Sequence, residues 1–183
     1  MQQALELAQS IHADNFLANG LHLLAENSFA QGDKVKAQIY ASQGVEIVRK
    51  VGMTFVGPSV LASKAASADN EIEAQKARME AEAILDAGCV SHNHFWFARI
   101  TIGHALRTHA WDEVERCAMR LESYTSREPL PWSDFIIAYG RALAGWGRGQ
   151  RTDALAQELQ RLRSLAMERG MLLDAAMLER ALV

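Results

Sequence analysis

Six histidines and two cysteines set the range of chemistry open to this 183-residue chain. They are densest in CVSHNHFWFARI, residues 89–100, where Cys89, His92 and His94 fall close together. A metal site needs side chains that converge on one ion, usually four of them in a tetrahedron. On a helix, His92 and His94 point about 200 degrees apart and cannot share an ion. Ahead of a helix they could converge. His104 and His109 are also poorly spaced for joint ligation, and no nearby cysteine pair completes a set. A thiolate–imidazole nucleophile can be written from Cys89 with His92 or His94. The pattern shows neither an orienting third group nor an oxyanion donor for it. Asp112, Glu113 and Glu115 read as the first turn of a helix, where the dipole favours negative charge. The acids of NEIEAQKARMEAEA read as a solvated helix face. No glycine-rich phosphate loop ending in Lys-Ser or Lys-Thr occurs. The expectation is therefore no catalytic residue, no metal, no cofactor and no enzyme activity in this chain.

Composition narrows the field further. Hydrophobic residues make up 49% and charged residues 22%, which is ordinary for a folded domain and too apolar for disorder. A net charge of -3 gives no pull toward nucleic acid or an anionic membrane. No run of 18 apolar residues marks a membrane span, and the opening MQQALELAQSIHADN lacks the pattern of a secretory leader. Cys89 and Cys117 read as small buried hydrophobes, which fits a reducing, cytoplasmic setting.

The elements that would position these residues are helices. Only three prolines occur, alternating β-branched runs are rare, and Ala, Leu, Glu, Gln, Arg and Met dominate long stretches. Hairpin-like marks recur. Ala25 is followed by a turn at Gly32, then by Ala37, Gly44 and a closing Gly52; Ala62, Asp69, Ala74, Ala81 and Gly88 repeat the order. Turn positions fall at Gly32, Asp69, His109 and Gly149, spaced by 37, 40 and 40 residues, with Ala37, Ala74, Val114 and Ala154 five residues beyond each. Small residues at such points let two helices cross closely. The expected fold is all-α: a solenoid of antiparallel helical hairpins forming one domain over 1–183. Its approximate units are 1–14 (partial), 15–52, 53–88, 91–126 and 131–170, with a capping helix at 171–183. Arg161 on an expected apolar mark implies a register shift near GWGRG. The chain opens already inside a periodic helix, as if cut from a longer protein. That helix carries Leu5, Ala8 and Ile11 with no partner hairpin, so it is expected either to fold back or to leave a dimer that forms through an end or a helix face.

The spacing of small residue, turn, alanine and small residue is similar to the tetratricopeptide pattern, with a longer period. GMTFVGPSVLA, AGCVSHNHFWFARI, AWDEV, YTSREPLPWSDFIIAYGRAL and RLRSLAMERGM resemble the C-terminal region of large bacterial adenylate/guanylate cyclase-type regulators that carry an ATPase domain. Large ATP-dependent transcription activators also end in such repeats. The resemblance implies an α-α superhelix, with cyclase and ATPase parts elsewhere in the parent protein. It also implies that the first helix of each hairpin lines a concave groove. Carried onto this sequence, the groove positions are Asn19, His22, Glu26 and Phe29 in the first unit, Val56, Ser59, Ser63 and Ala66 in the second, Trp96, Arg99, Gly103 and Leu106 in the third, and, as one choice of register, Ile136, Tyr139, Leu143 and Trp146 in the fourth. The expected function is a signalling module that contacts a protein partner or upstream domains of the same polypeptide, with a homodimer as a further outcome. A small-ligand sensory domain is the first alternative and an enzyme the second. In SREPLPWSDF, Ser133 is expected to cap the next helix and Trp132 to fold the proline loop down as a hydrophobic staple.

Overall fold

The computed structural model describes residues 2–182. Among them ten α-helices occur and no strand: α1 (Gln2–Ser10), α2 (Asp14–Ala30), α3 (Lys34–Val51), α4 (Gly57–Ser67), α5 (Glu71–Ala87), α6 (His92–Arg107), α7 (Trp111–Thr125), α8 (Pro131–Gly147), α9 (Asp153–Glu168) and α10 (Leu172–Leu182). The all-α expectation holds. The chain divides into two compact bodies, Met1–Ile100 and Thr101–Val183, and α6 contributes to both.

In the N-terminal body α2 packs on α3, α3 on α4 and α4 on α5, and α2 also reaches α4 across the intervening helix. In the C-terminal body α7 packs on α8, α8 on α9 and α9 on α10, with α8 also reaching α10. Neighbour packing with a second-neighbour contact is consistent with a helical-repeat architecture. Short turns force it. At His12, Gly32, His109, Gly149 and Gly170 the backbone takes a positive φ, between 54° and 87°. The next N–H then returns to the carbonyl five residues back: Ala13 to Ala8, Asp33 to Ser28, Ala110 to Ala105, Gln150 to Gly145 and Met171 to Ala166, at 2.8–3.1 Å. This left-handed cap satisfies carbonyls that a helix end leaves open. All five accepting residues are small and buried, so the turn can fold tightly onto the neighbouring helix.

Small residues also set the crossings. Ala25, Ala37, Gly44, Ala62, Ala74 and Ala81 are all buried. A side-chain carbon placed on Gly44 would lie 3.0 Å from Val60 Cγ1 and 3.7 Å from Leu21 Cβ, so α2, α3 and α4 meet at this point. Leu5 of α1 packs directly over Gly20, and Ala8 is buried. The N-terminal helix is thus folded back on α2, with Leu7 and Ile11 facing outward.

Two expectations fail in the C-terminal body. Ala154 is exposed. Helices α3 and α7 begin two residues after their left-handed turn residue, but α9 begins four after Gly149. The insertion of Arg151 and Thr152 moves Ala156 into the place that Ala37 and Val114 hold in their helices, and Ala154 turns outward. Trp132 is 53% exposed and no staple forms. Pro131 is already the first residue of α8, Leu130 is the N-cap without a side-chain bond, and Ser133 lies buried inside the first turn. Proline fixes a φ suited to that first position, so the helix starts earlier than a serine cap would allow.

Candidate interaction surface

The site grows from the buried stripe of α2. Ala18, Leu21, His22, Ala25 and Ser28 follow helical spacing and face the core. His22 lies in this stripe, so the structure corrects its expected place in an open groove: its side chain is fully enclosed. Taking the Asn19 side-chain oxygen as acceptor, His22 Nε2 donates to it at 3.2 Å. The other ring nitrogen, Nδ1, is buried without a hydrogen-bond partner. The ring meets Trp96 edge to face at 5.6 Å between centroids. Burial, and then the nearby His92 imidazole, lower the His22 pKa to about 4, so the ring is neutral at pH 7.

Asn93 is the hub that sequence reasoning missed. It is fully buried on the first turn of α6. Its Nδ2 donates to the carbonyls of Phe55 at 2.9 Å, Val90 at 3.0 Å and Thr54 at 3.3 Å. Its Oδ1 accepts from Ser59 Oγ at 3.0 Å. The Val90 N–H adds a 3.0 Å bond to the Thr54 carbonyl. The connection before α4 is thereby tied to the connection before α6. A buried amide with its groups paired fixes geometry, because each unpaired group would carry a desolvation cost.

What this tie holds in place is a set of aromatic rings. Phe16 of α2 meets Phe55 at 6.0 Å, and Phe55 meets His92 at 5.6 Å, both edge to face. Phe95 meets Trp96 at 5.4 Å. His92, Phe95 and Trp96 are three and four positions apart on α6, so they share one side of that helix. Phe16 is 65% exposed; Phe55, His92, Phe95, Trp96 and Asn19 are half-buried. Their signal in the sequence is an absence of charge. Residues 15–25, 51–63 and 87–98 contain no Asp, Glu, Lys or Arg, and they are the three longest such runs in the chain. The ring contacts and the Asn93 bonds bring all three together.

The other expected groove residues fall in both bodies, and Val56, Ser59, Ser63, Ala66, Leu106, Ile136 and Leu143 are core residues, buried because their helices are covered on most sides. Glu26 and Phe29 are half-buried on α2, and Arg99 is half-buried on α6. Tyr139 and Trp146 belong to the C-terminal body. Tyr139 is buried, with its hydroxyl 3.0 Å from Met177 Sδ, so it is a core residue. The reason is that α8 is apolar on most sides and is packed accordingly. Trp146 is half-buried beneath the Arg151 guanidinium, 4.1 Å from the ring centroid. In the same body Arg141 of α8 clamps two acids of α7, Glu115 at 2.9 Å and Glu122 at 2.8 Å, and holds the Glu122 carboxyl below its usual range.

The residues suited to chemistry are placed otherwise. His92 and His94 both lie within α6 and diverge as helical spacing demands. His109 occupies a left-handed turn and stacks on Trp111 at 5.0 Å. Burial pushes the Cys89 thiol up, away from the thiolate that a nucleophile requires. Among the described residues no three His, Cys, Asp or Glu side chains group as a metal site, and no helix is long and apolar enough to cross a membrane. Comparison with protein-family models, with curated proteins and with solved structures returned no match.

Proposed function

We propose that this chain is a non-catalytic, tetratricopeptide-like interaction module of a larger cytoplasmic signalling protein, of the cyclase-type regulators that its sequence resembles. The observation that carries the reading is the aromatic surface of the N-terminal body. Large rings stand at the surface, pre-set by edge-to-face contacts and by the buried Asn93 hub. Aromatic side chains on a rigid frame supply contact area at low ordering cost, and protein interfaces concentrate their affinity in such residues. Paired helices with tight left-handed turns support the repeat reading, since stacked hairpins characteristically serve as binding scaffolds.

A retention experiment tests it. Immobilised wild-type chain, a Phe16→Ser/Phe95→Ser variant and an Ile72→Ser variant are compared for capture of the parent protein's upstream segments and of cellular partners. Ile72 is the control because it is 81% exposed and lies outside the aromatic set. The reading expects a defined partner held by the wild type and Ile72→Ser and lost by the double variant, with helical content unchanged. Equal retention by all three would overturn it.

A further inference from the structure

We infer that His22 Nδ1 and Ser63 Oγ form an interior polar site, where α2, α4 and α6 meet, that binds a small hydroxylic molecule, water being the smallest. Both atoms are buried without a hydrogen-bond partner, and both side chains are enclosed, His22 fully and Ser63 at 1% exposure. They belong to one place in the N-terminal body. Leu21 of α2 and Val60 of α4 converge on Gly44, each within 3.7 Å of a side-chain carbon placed there. His22 is the next residue after Leu21, and Ser63 lies one turn beyond Val60. Both stand on sides that turn to α6. The His22 ring meets Trp96 at 5.6 Å. Ser59 donates to Asn93, about one turn before Trp96, and Ser63 is four residues beyond Ser59, so it shares that side of α4.

The Ser63 hydroxyl is not spent on its own helix. Ser67, Thr108 and Thr125 turn back to the carbonyl four residues earlier, at 2.8 Å, 3.1 Å and 3.0 Å. Ser63 has the same option and makes no such bond, so its hydroxyl is open to a bound molecule. The His22 ring sets what that molecule must bring. Nε2 carries the proton donated to Asn19 and the ring is neutral, so Nδ1 is a bare acceptor. The occupant therefore supplies a donor hydrogen to Nδ1. A hydroxyl does so in the smallest volume and also bonds to Ser63, whose own hydroxyl donates or accepts. Buried polar atoms without a partner are costly, and an enclosed water bonded to several of them is the common remedy. The occupant is a positioning group: it holds the second nitrogen of His22, and His22 backs Trp96 at the aromatic surface.

Nuclear magnetic resonance of the full chain, isotopically labelled at its histidine ring nitrogens and held at pH 7, tests this. His22→Gln assigns the His22 signal. Expected is an Nε2–H tautomer whose Nδ1 resonance is displaced from the bare-nitrogen position toward the bonded range, with magnetisation transfer from water to the His22 ring. Ser63→Ala should abolish the transfer and return Nδ1 toward the bare position, whereas Ser63→Thr, which keeps the hydroxyl, should retain both. Ser67→Ala, which removes a hydroxyl already bonded within α4, should change neither. A bonded Nδ1 without transfer from water would make the occupant a hydroxylic molecule other than solvent, found by mass spectrometry of the denatured chain's extract; an extract without one would sink the inference. A bare Nδ1 in the wild type, a proton on Nδ1, or a signal indifferent to Ser63→Ala would overturn it. The wild-type readings decide the matter even where a variant fails to fold.

Discussion

Two glycines of the C-terminal body separate packing from helix propensity. A methyl group on Gly140 of α8 would stand 2.9 Å from Ile102 Cγ2 and 3.2 Å from Val114 Cγ1. Both neighbours are buried, on α6 and α7. Both are β-branched and stiff at χ1, so they cannot swing aside. Alanine gains about 1 kcal/mol over glycine from helix propensity. Overpacking costs typically about 1–3 kcal/mol, and two stiff neighbours place this site in the upper half. Gly140→Ala should therefore lose about 1–2 kcal/mol net. At Gly103 of α6 the same methyl would meet Arg107 Nη1, the far end of a long side chain, at 3.5 Å, an ordinary contact. The propensity gain survives there, and Gly103→Ala should stabilise by about 0.5–1 kcal/mol. Urea melts of the three proteins, followed by far-ultraviolet circular dichroism, measure both values. Separate transitions would be fitted separately, since the chain has two compact bodies. Gly140→Ala equal to or more stable than the wild type would refute the claim that α6, α7 and α8 meet at full density at that glycine.

Other expectations follow from the site. Because the folded-state pKa of His22 is depressed, the unfolded chain binds the extra proton; stability should be intact above about pH 6.5 and fall as pH drops toward 4, by roughly 3 kcal/mol in all. His22→Gln should flatten that slope by about one proton, and an unchanged slope in urea midpoints from pH 4 to 7 would disprove enclosure of the ring. Asn93→Ala should cost roughly 2–4 kcal/mol by stranding the Phe55 carbonyl and Ser59, and Asn93→Asp should be at least as damaging because it cannot donate and buries a charge. Ser59→Ala, which removes one of these bonds, should cost about 1 kcal/mol, read in the same melts. Trp132→Ala should change stability by less than about 0.5 kcal/mol, as befits an exposed side chain.

Helical spacing and turn glycines make the elements legible, because both are local: a buried stripe repeats every three to four residues, and a left-handed turn selects glycine. His109 is legible as a turn only by its alignment with Gly32 and Gly149, yet it adopts the same left-handed backbone. A sharper local mark is the small residue four positions before each such turn, carried by Ala8, Ser28, Ala105, Gly145 and Ala166. Register is less legible. Two residues inserted after Gly149 leave Ala154 outside; the local mark of the shift is the cap, which is Asp33 directly after Gly32 but Thr152 three residues after Gly149. Solvent exposure is least legible, since it depends on neighbours distant in sequence. A polar His22 reads as a surface residue until α6 covers it with Trp96. Asn93 reads as one more polar residue among histidines, because its partners Thr54, Phe55 and Ser59 lie 34 to 39 positions away.

On the proposed function, a partner sits on the aromatic surface of the N-terminal body. Site-specific photo-crosslinking in cells addresses it most directly, with benzoylphenylalanine placed at Phe16 in one protein and at Trp132 in another. Both positions are more than half exposed and already aromatic, so neither replacement disturbs the core. A discrete cross-linked product is expected from Phe16, abolished by Phe95→Ser, and none from Trp132. A product from Trp132 alone, or equal products from both positions that ignore Phe95→Ser, would contradict it.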